Sequence, residues 1–200
     1  MSMIEVGTYN FKEFLKTGRL YVDKTLFIKE FIENSSKINL ITRPRRFGKT
    51  LNMSMLEYFF DYKNKEDNKK LFDGLNISKE KELCEKHQNQ YPVIYISLID
   101  CIGDIWSDCF HLIKKMISEM YKDHLYLADI LKDEELEMYT LISRNKAEDV
   151  DYRDALASLI KYIKKALGKD VIVLIDEYDA PIQHAYSKDK EYFDKMISLK

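Results

Sequence analysis

Glycine and proline are scarce in this chain, six and three among 200 residues, so few positions punctuate it and its elements should be long and mostly helical. No repeat or low-complexity block is present, which excludes solenoids and arrays. Cysteine is as rare as proline. Cys84, Cys101 and Cys109 form an odd set without CxxC spacing, which argues against a disulfide framework or a zinc site and for reduced core thiols. His87, His111, His124 and His184 are scattered, and Cys109 with His111 lacks the spacing of a four-ligand site. No apolar run approaches the roughly 20 residues of a membrane helix, and Met1-Ser2-Met3-Ile4-Glu5 does not begin an export signal. A cytoplasmic protein that does not cross a membrane is the expectation. An excess of either charge is also missing: 32 basic and 34 acidic residues leave a formal charge of -2, so the overall field gives no argument for nucleic acid or an anionic surface.

What the chain does have is 46% apolar and 33% charged residues, enough for a domain with a sizeable core. Three short apolar runs interrupt the helical texture: Ile38 to Ile41, Val93 to Leu98 and Val171 to Ile175. They are rich in β-branched residues and nearly continuous in apolarity, as parallel strands covered on both faces are. Between them, Ile105, Trp106, Cys109, Ile113, Met116, Ile117 and Met120 recur at helical spacing. So do Tyr152, Leu156, Leu159, Ile160, Ile163 and Leu167, with Asp151 as expected N-cap and Gly168 as C-terminal stop. Asn10 and Asp23 are expected to cap two helices nearer the N-terminus, and the polar stretch Asp61 to Lys70 reads as a solvated loop or helix end. Strands separated by helices give an α/β fold with a parallel sheet flanked by helices.

The first apolar run leads into Thr42-Arg43-Pro44-Arg45-Arg46-Phe47-Gly48-Lys49-Thr50, and a helical pattern begins at once with Leu51. Strand, loop and helix start in that order form a phosphate-binding loop, because free N–H groups at a helix N-terminus face an anion and the helix dipole favours it. Gly48 would admit close backbone approach, Lys49 would reach the β and γ phosphates, and the Thr50 hydroxyl would ligate magnesium. The expected nucleotide contacts run through Arg45, Arg46, Phe47, Gly48, Lys49, Thr50 and Leu51. One position departs from the usual pattern: Arg43 stands where the loop's first glycine is expected. Arg43, Arg45 and Arg46 could contact phosphate or a neighbouring subunit of a homo-oligomer, and could equally face solvent or local acids.

The third apolar run ends in Asp176-Glu177, at the C-terminal strand edge where open α/β sheets bind ligands. There Asp176 could hold magnesium, and Glu177 could orient and deprotonate an attacking water. Each motif alone is weak. Together, in this chain order and at these strand ends, they support each other.

Three segments carry a family resemblance: Tyr21-Val22-Asp23-Lys24-Thr25, Arg43-Pro44-Arg45-Arg46-Phe47-Gly48-Lys49-Thr50, and Leu174-Ile175-Asp176-Glu177-Tyr178-Asp179-Ala180-Pro181-Ile182. In combination they resemble the bacterial and archaeal AAA-ATPase-like proteins, a lineage within the ASCE group of P-loop ATPases. The resemblance implies a P-loop NTPase fold, with residues 1–36 a helical lead-in and 37–200 the nucleotide-binding core. It implies ATP and magnesium as cofactors, Lys49 and Glu177 as catalytic residues, Thr50 and Asp176 as metal ligands, and an arginine at position 43 as a family feature. Tyr21 to Thr25 brings no assigned chemistry with it; an adenine-side contact and a capped helix start at Asp23 are both open. Similar proteins continue further, so the chain is expected to be the N-terminal portion of a longer protein, with the sheet incomplete at its C-terminus. By that strand order the Ile38 to Ile41 run should lack its neighbour, and this chain alone should hydrolyse little ATP. ATP binding with hydrolysis in the complete protein leads the readings, ahead of a nucleotide-binding regulatory module and a small-molecule P-loop kinase.

Overall fold

The computed structural model describes residues 9–34, 36–42, 47–188 and 190–198. They fall into two compact units, Met1–Val93 and Ile94–Lys200.

The first unit is helical. Asn10 caps α1 (Phe11–Lys16) as expected, its side-chain oxygen accepting the Glu13 N–H at 3.1 Å. α2 (Leu26–Glu33) and α3 (Lys49–Phe60) follow, then the short α4 (Lys65–Lys70) in the lysine-rich stretch, and α5 (Lys81–His87). α3 organises the unit because both its apolar and its aromatic residues are buried, Met53, Met55, Leu56, Phe59 and Phe60 among them. Phe59 meets Phe60 and Phe72 edge-on, and Phe11 stacks on Phe72 with centroids 5.4 Å apart. Such pairs add to the burial of large apolar rings. The Phe11 N–H also donates to Ser54 Oγ at 3.1 Å, tying α1 to α3. At the other end of α3, Asn89 takes a left-handed conformation and its Nδ2 donates to the carbonyls of Tyr58 and Asp61, satisfying acceptors that a helix end leaves open.

The second unit carries the sheet, two parallel strands, β1 (Val93–Ser97) and β2 (Ile172–Asp176), joined by a long helical crossover. The crossover comprises α6 (Trp106–Lys122), α7 (Asp133–Ser143) and α8 (Ala155–Leu167). Ile94 and Ile96 of β1 pack into one core with Cys109, Ile113, Ile117 and Tyr121 of α6 and Leu159 and Ile163 of α8. Two phenols in that core, those of Tyr121 and Tyr139, are hydrogen-bonded rather than merely buried. Tyr121 Oη donates to the Ala155 carbonyl at 2.8 Å, and Tyr139 Oη lies 2.6 Å from the Tyr121 carbonyl and 2.9 Å from that of His124. Cys101 and Cys109 are buried and burial pushes the Cys101 thiol up to about 11, as expected of inert core thiols. Gly168 ends α8 in the left-handed conformation, as its position predicted. Two helices close the unit, α9 (Ala180–Lys188) and α10 (Lys190–Ile197).

Two local expectations fail. Ile38 to Ile41 is irregular and joins no strand ladder among the described residues, with Ile38 85% and Leu40 67% exposed. β-branched residues favour a strand only where a neighbour offers a ladder and a covered face, and neither is present there. Nor does Asp151 cap α8. Its carboxylate accepts the Glu148 N–H at 2.9 Å in a preceding turn, and the helix starts after Asp154. Among the described residues no helix is long and apolar enough to cross a membrane.

Candidate functional site

The first group of expected site residues lies in the first unit, at the start of α3. Arg43, Arg45 and Arg46 lie outside the described residues. Phe47 is exposed, and Gly48 is the N-cap of α3 with φ 72, a left-handed conformation. Glycine holds it without steric penalty, and among the described residues no atom lies within 4 Å of the position a Cβ would take, so the backbone conformation selects glycine. Gly48 brings no side chain to the cap, so the first-turn N–H groups at Lys49, Thr50 and Leu51 receive no acceptor from it. All three residues are partly exposed. The helix is then secured from Asn52 onward, whose N–H donates to the Gly48 carbonyl at 2.9 Å. A 12-residue helix anchored by buried aromatics thus opens on a positively polarised end that its N-cap residue does not cap with a side chain.

The second group lies in the second unit, at the C-terminal end of β2. Asp176 is 2% exposed. A carboxylate that deep needs hydrogen bonds, and it has them: Tyr95 Oη donates to Oδ2 at 3.3 Å and the Glu177 N–H to Oδ1 at 3.0 Å. Its main-chain carbonyl accepts the Leu98 N–H at 3.1 Å, extending the pairing just beyond β1. Tyr95 was not singled out by any motif; its place in β1 beside the acid pair is a matter of register with a residue 81 positions along the chain.

Glu177 is partly exposed and has φ 51, a left-handed conformation that a charged L-residue adopts at a cost of about 1 kcal/mol or more. The turn it starts is completed by the Ala180 N–H donating to the Glu177 carbonyl at 3.0 Å, and the Gln183 N–H to that of Asp179 at 2.8 Å. α9 follows directly, with Pro181 in its first turn where no N–H is missed. The helix pair behind this turn is fastened to the loop after β1. His184 Nε2 and Tyr192 Oη both reach the Gly103 carbonyl, at 3.0 and 3.2 Å, and Lys188 pairs with Asp104 at 2.8 Å. A Cβ on Gly103 would stand 2.4 Å from the Cys109 N atom, so that loop holds its place only with glycine.

Tyr21 to Thr25 has a structural part in the first unit. Asp23 Oδ1 accepts the Thr25 N–H and hydroxyl at 2.8 and 2.7 Å, and Oδ2 accepts the Asn76 N–H at 2.7 Å. The Thr25 hydroxyl in turn accepts the Ile77 N–H at 3.0 Å, so the two side chains hold the turn at residues 76–79 to the start of α2. These bonds keep the Asp23 carboxyl below the usual carboxylate range although desolvation, the largest single influence, opposes them. Tyr21 packs edge-on against Phe11 and Phe14 and sends its hydroxyl to Met55 Sδ at 3.4 Å. The expectation of a cap at Asp23 is met in modified form: the carboxylate orders the entry to α2, while the helix itself starts after Thr25.

Comparison with known proteins adds a family. A family model described as Predicted AAA-ATPase (AAA-ATPase_like) matches residues 5–199. The chain is also similar to an uncharacterized protein in the vnfD 5' region of Azotobacter chroococcum mcd 1, with 30% identity over 162 residues, 81% of this chain. That alignment spans 26% of the relative's own length. No solved structure matches.

Proposed function

Because the chain belongs to the AAA-ATPase-like family of predicted AAA-ATPases, we propose that it is the nucleotide-binding part of a magnesium-dependent ATPase with a P-loop fold. Residues 1–36 act in this reading as lead-in and 37–200 as nucleotide-binding core. One observation carries it: Lys49 and Thr50 open α3 immediately after a left-handed Gly48, so a helix N-terminus and a cation are presented together. Arg45 through Leu51 wrap the phosphates, with Lys49 neutralising the β and γ oxygens.

Thr50 and Asp176 are the residues that would hold magnesium in this reading, since a hydroxyl and a carboxylate are the hard oxygen ligands that ion takes beside water and phosphate. The ion would neutralise charge on the phosphates. Tyr95 and the Glu177 N–H keep the Asp176 carboxylate oriented at the end of β2. Glu177 takes a proton from the water that attacks the γ phosphate, and the left-handed backbone at this residue sets where its side chain starts. That a non-glycine residue occupies this conformation supports a role for its side chain.

Titration of a fluorescent ATP analogue with magnesium into the 200-residue chain tests the reading. Lys49→Ala is expected to weaken binding by more than about tenfold. Equal affinity for wild type and Lys49→Ala would remove the phosphate-loop assignment.

A further inference from the structure

In the first unit, the turn after α4 and the helix α5 border a cavity of about 380 Å³ that contains neither Lys49 nor Thr50. Its size lies at the small end of the roughly 300–1,000 Å³ typical of small-molecule sites. Phe72, buried, and Cys84, half-buried, give it an apolar floor. Gln88, at the end of α5, lines the same floor and is 7% exposed. The main chain of Gln88 is paired, its N–H donating to the Cys84 carbonyl at 2.9 Å and its carbonyl accepting Gln90 Nε2 at 3.2 Å. Its side-chain amide has no hydrogen-bond partner among the described residues. The amide is therefore available to a ligand that carries a donor beside an acceptor.

Around the rim stand Lys65, Lys69 and Lys81, together with Asp73 and Glu85. None of these five is in an ion pair among the described residues. Three requirements follow for an occupant: an anionic group for the lysines, hydroxyl donors for the carboxylates, and a planar donor–acceptor edge for Gln88. A purely acidic ligand would meet two carboxylates, and a neutral one would leave the lysines unanswered. We infer that this cavity binds a nucleoside monophosphate, with phosphate at the lysines, ribose hydroxyls at Asp73 and Glu85, and the base edge on the Gln88 amide. Adenine suits the last contact, since its amino group and ring nitrogen match a glutamine amide bidentately. The Asp23–Thr25 latch holds the turn at residues 76–79, next to Ser78 of the cavity wall, and so stiffens the site. This site is separate from the phosphate loop and does not rest on the ATPase reading.

Calorimetric titration of the 200-residue chain with AMP, adenosine and ribose 5-phosphate tests it. Saturable AMP binding is expected, weakened about tenfold or more in Lys69→Ala/Lys81→Ala, whose positions are exposed, and in Gln88→Met, but unchanged in Lys49→Ala. Ribose 5-phosphate and adenosine should each bind more weakly than AMP. Should Gln88→Met fail to fold by circular dichroism, the lysine double variant and the ligand series still decide. The inference is overturned by the absence of saturable AMP binding, by affinity indifferent to the lysine pair, by ribose 5-phosphate binding as tightly as AMP, or by loss of AMP binding in Lys49→Ala, which would assign the nucleotide to the phosphate loop.

Discussion

Two helix entrances in this molecule share an unusual backbone and differ in the residue that adopts it. Gly48, in the first unit, opens α3 with φ 72, and Glu177, in the second, stands three residues ahead of α9 with φ 51. Glycine accepts the left-handed region freely, whereas glutamate does so at a cost. The contrast separates two uses of one conformation. In the proposed reading the bare backbone serves at Gly48, since phosphates approach main-chain N–H groups most closely where no side chain intervenes. At Glu177 the proposed reading gives the strained position to a carboxylate, immediately after the buried Asp176.

The surroundings differ too, and substitutions can break the comparison at each level. The largest effect is expected from the support of the first entrance. Phe59 is fully buried between Phe60 and Phe72, so Phe59→Ala should destabilise the chain by about 3–5 kcal/mol, read from the denaturant midpoint by circular dichroism. A midpoint within error of wild type would show that α3 does not depend on this aromatic cluster.

α3 also carries a pH dependence of its own. Burial, followed by the nearby charge of Asp61, raises the Glu57 carboxyl from 4.5 to about 7, with Lys63 opposing the shift. The folded chain therefore binds more protons than the unfolded chain between those values. Stability should be highest below pH 4.5 as far as this group is concerned and should fall as pH rises through 7, by on the order of 3 kcal/mol in all. Glu57→Gln should flatten that slope. An unchanged slope between pH 5 and 7.5 in the variant would assign the dependence to other groups.

The smallest effects probe the two left-handed residues directly, and their signs should be opposite. Gly48→Ala should destabilise by about 1 kcal/mol through backbone strain, since no described atom crowds a Cβ there. Glu177→Gly should stabilise by about 1 kcal/mol while removing the carboxylate. Two changes of the same sign in equilibrium unfolding would mean that the two entrances are not conformationally alike.

Much of this was legible in the sequence wherever a local pattern sufficed. The helical spacing from Ile105 to Met120 became α6, the runs at Val93 and Val171 became β1 and β2, and Gly48-Lys49-Thr50 marked the start of α3. What was hidden depends on partners far along the chain. Ile38 to Ile41 has the composition of a strand, but a strand is made by a neighbour, which composition does not specify. Asp23 looked like a helix cap because its other partner, the Asn76 N–H, is 53 residues away. Asp151 and Asp154 are equally good capping residues by type, and only the turn at Glu148 decides between them. The conformation of Glu177 was hidden for another reason: its residue type argues against the left-handed region, so the sequence points away from the strain that marks the position. Gln88 carried no motif, and its interest arises from a cavity that only the packed helices create.

The central claim is that Glu177 is the residue that turns nucleotide binding into hydrolysis. It is tested most directly by steady-state ATP turnover and equilibrium ATP binding, measured side by side on the full-length protein and its Glu177→Gln variant. Removal of the proton acceptor with size and shape preserved should lower turnover by roughly 10²–10⁴-fold and leave ATP affinity within about twofold of wild type. Turnover equal to wild type in Glu177→Gln would contradict the account.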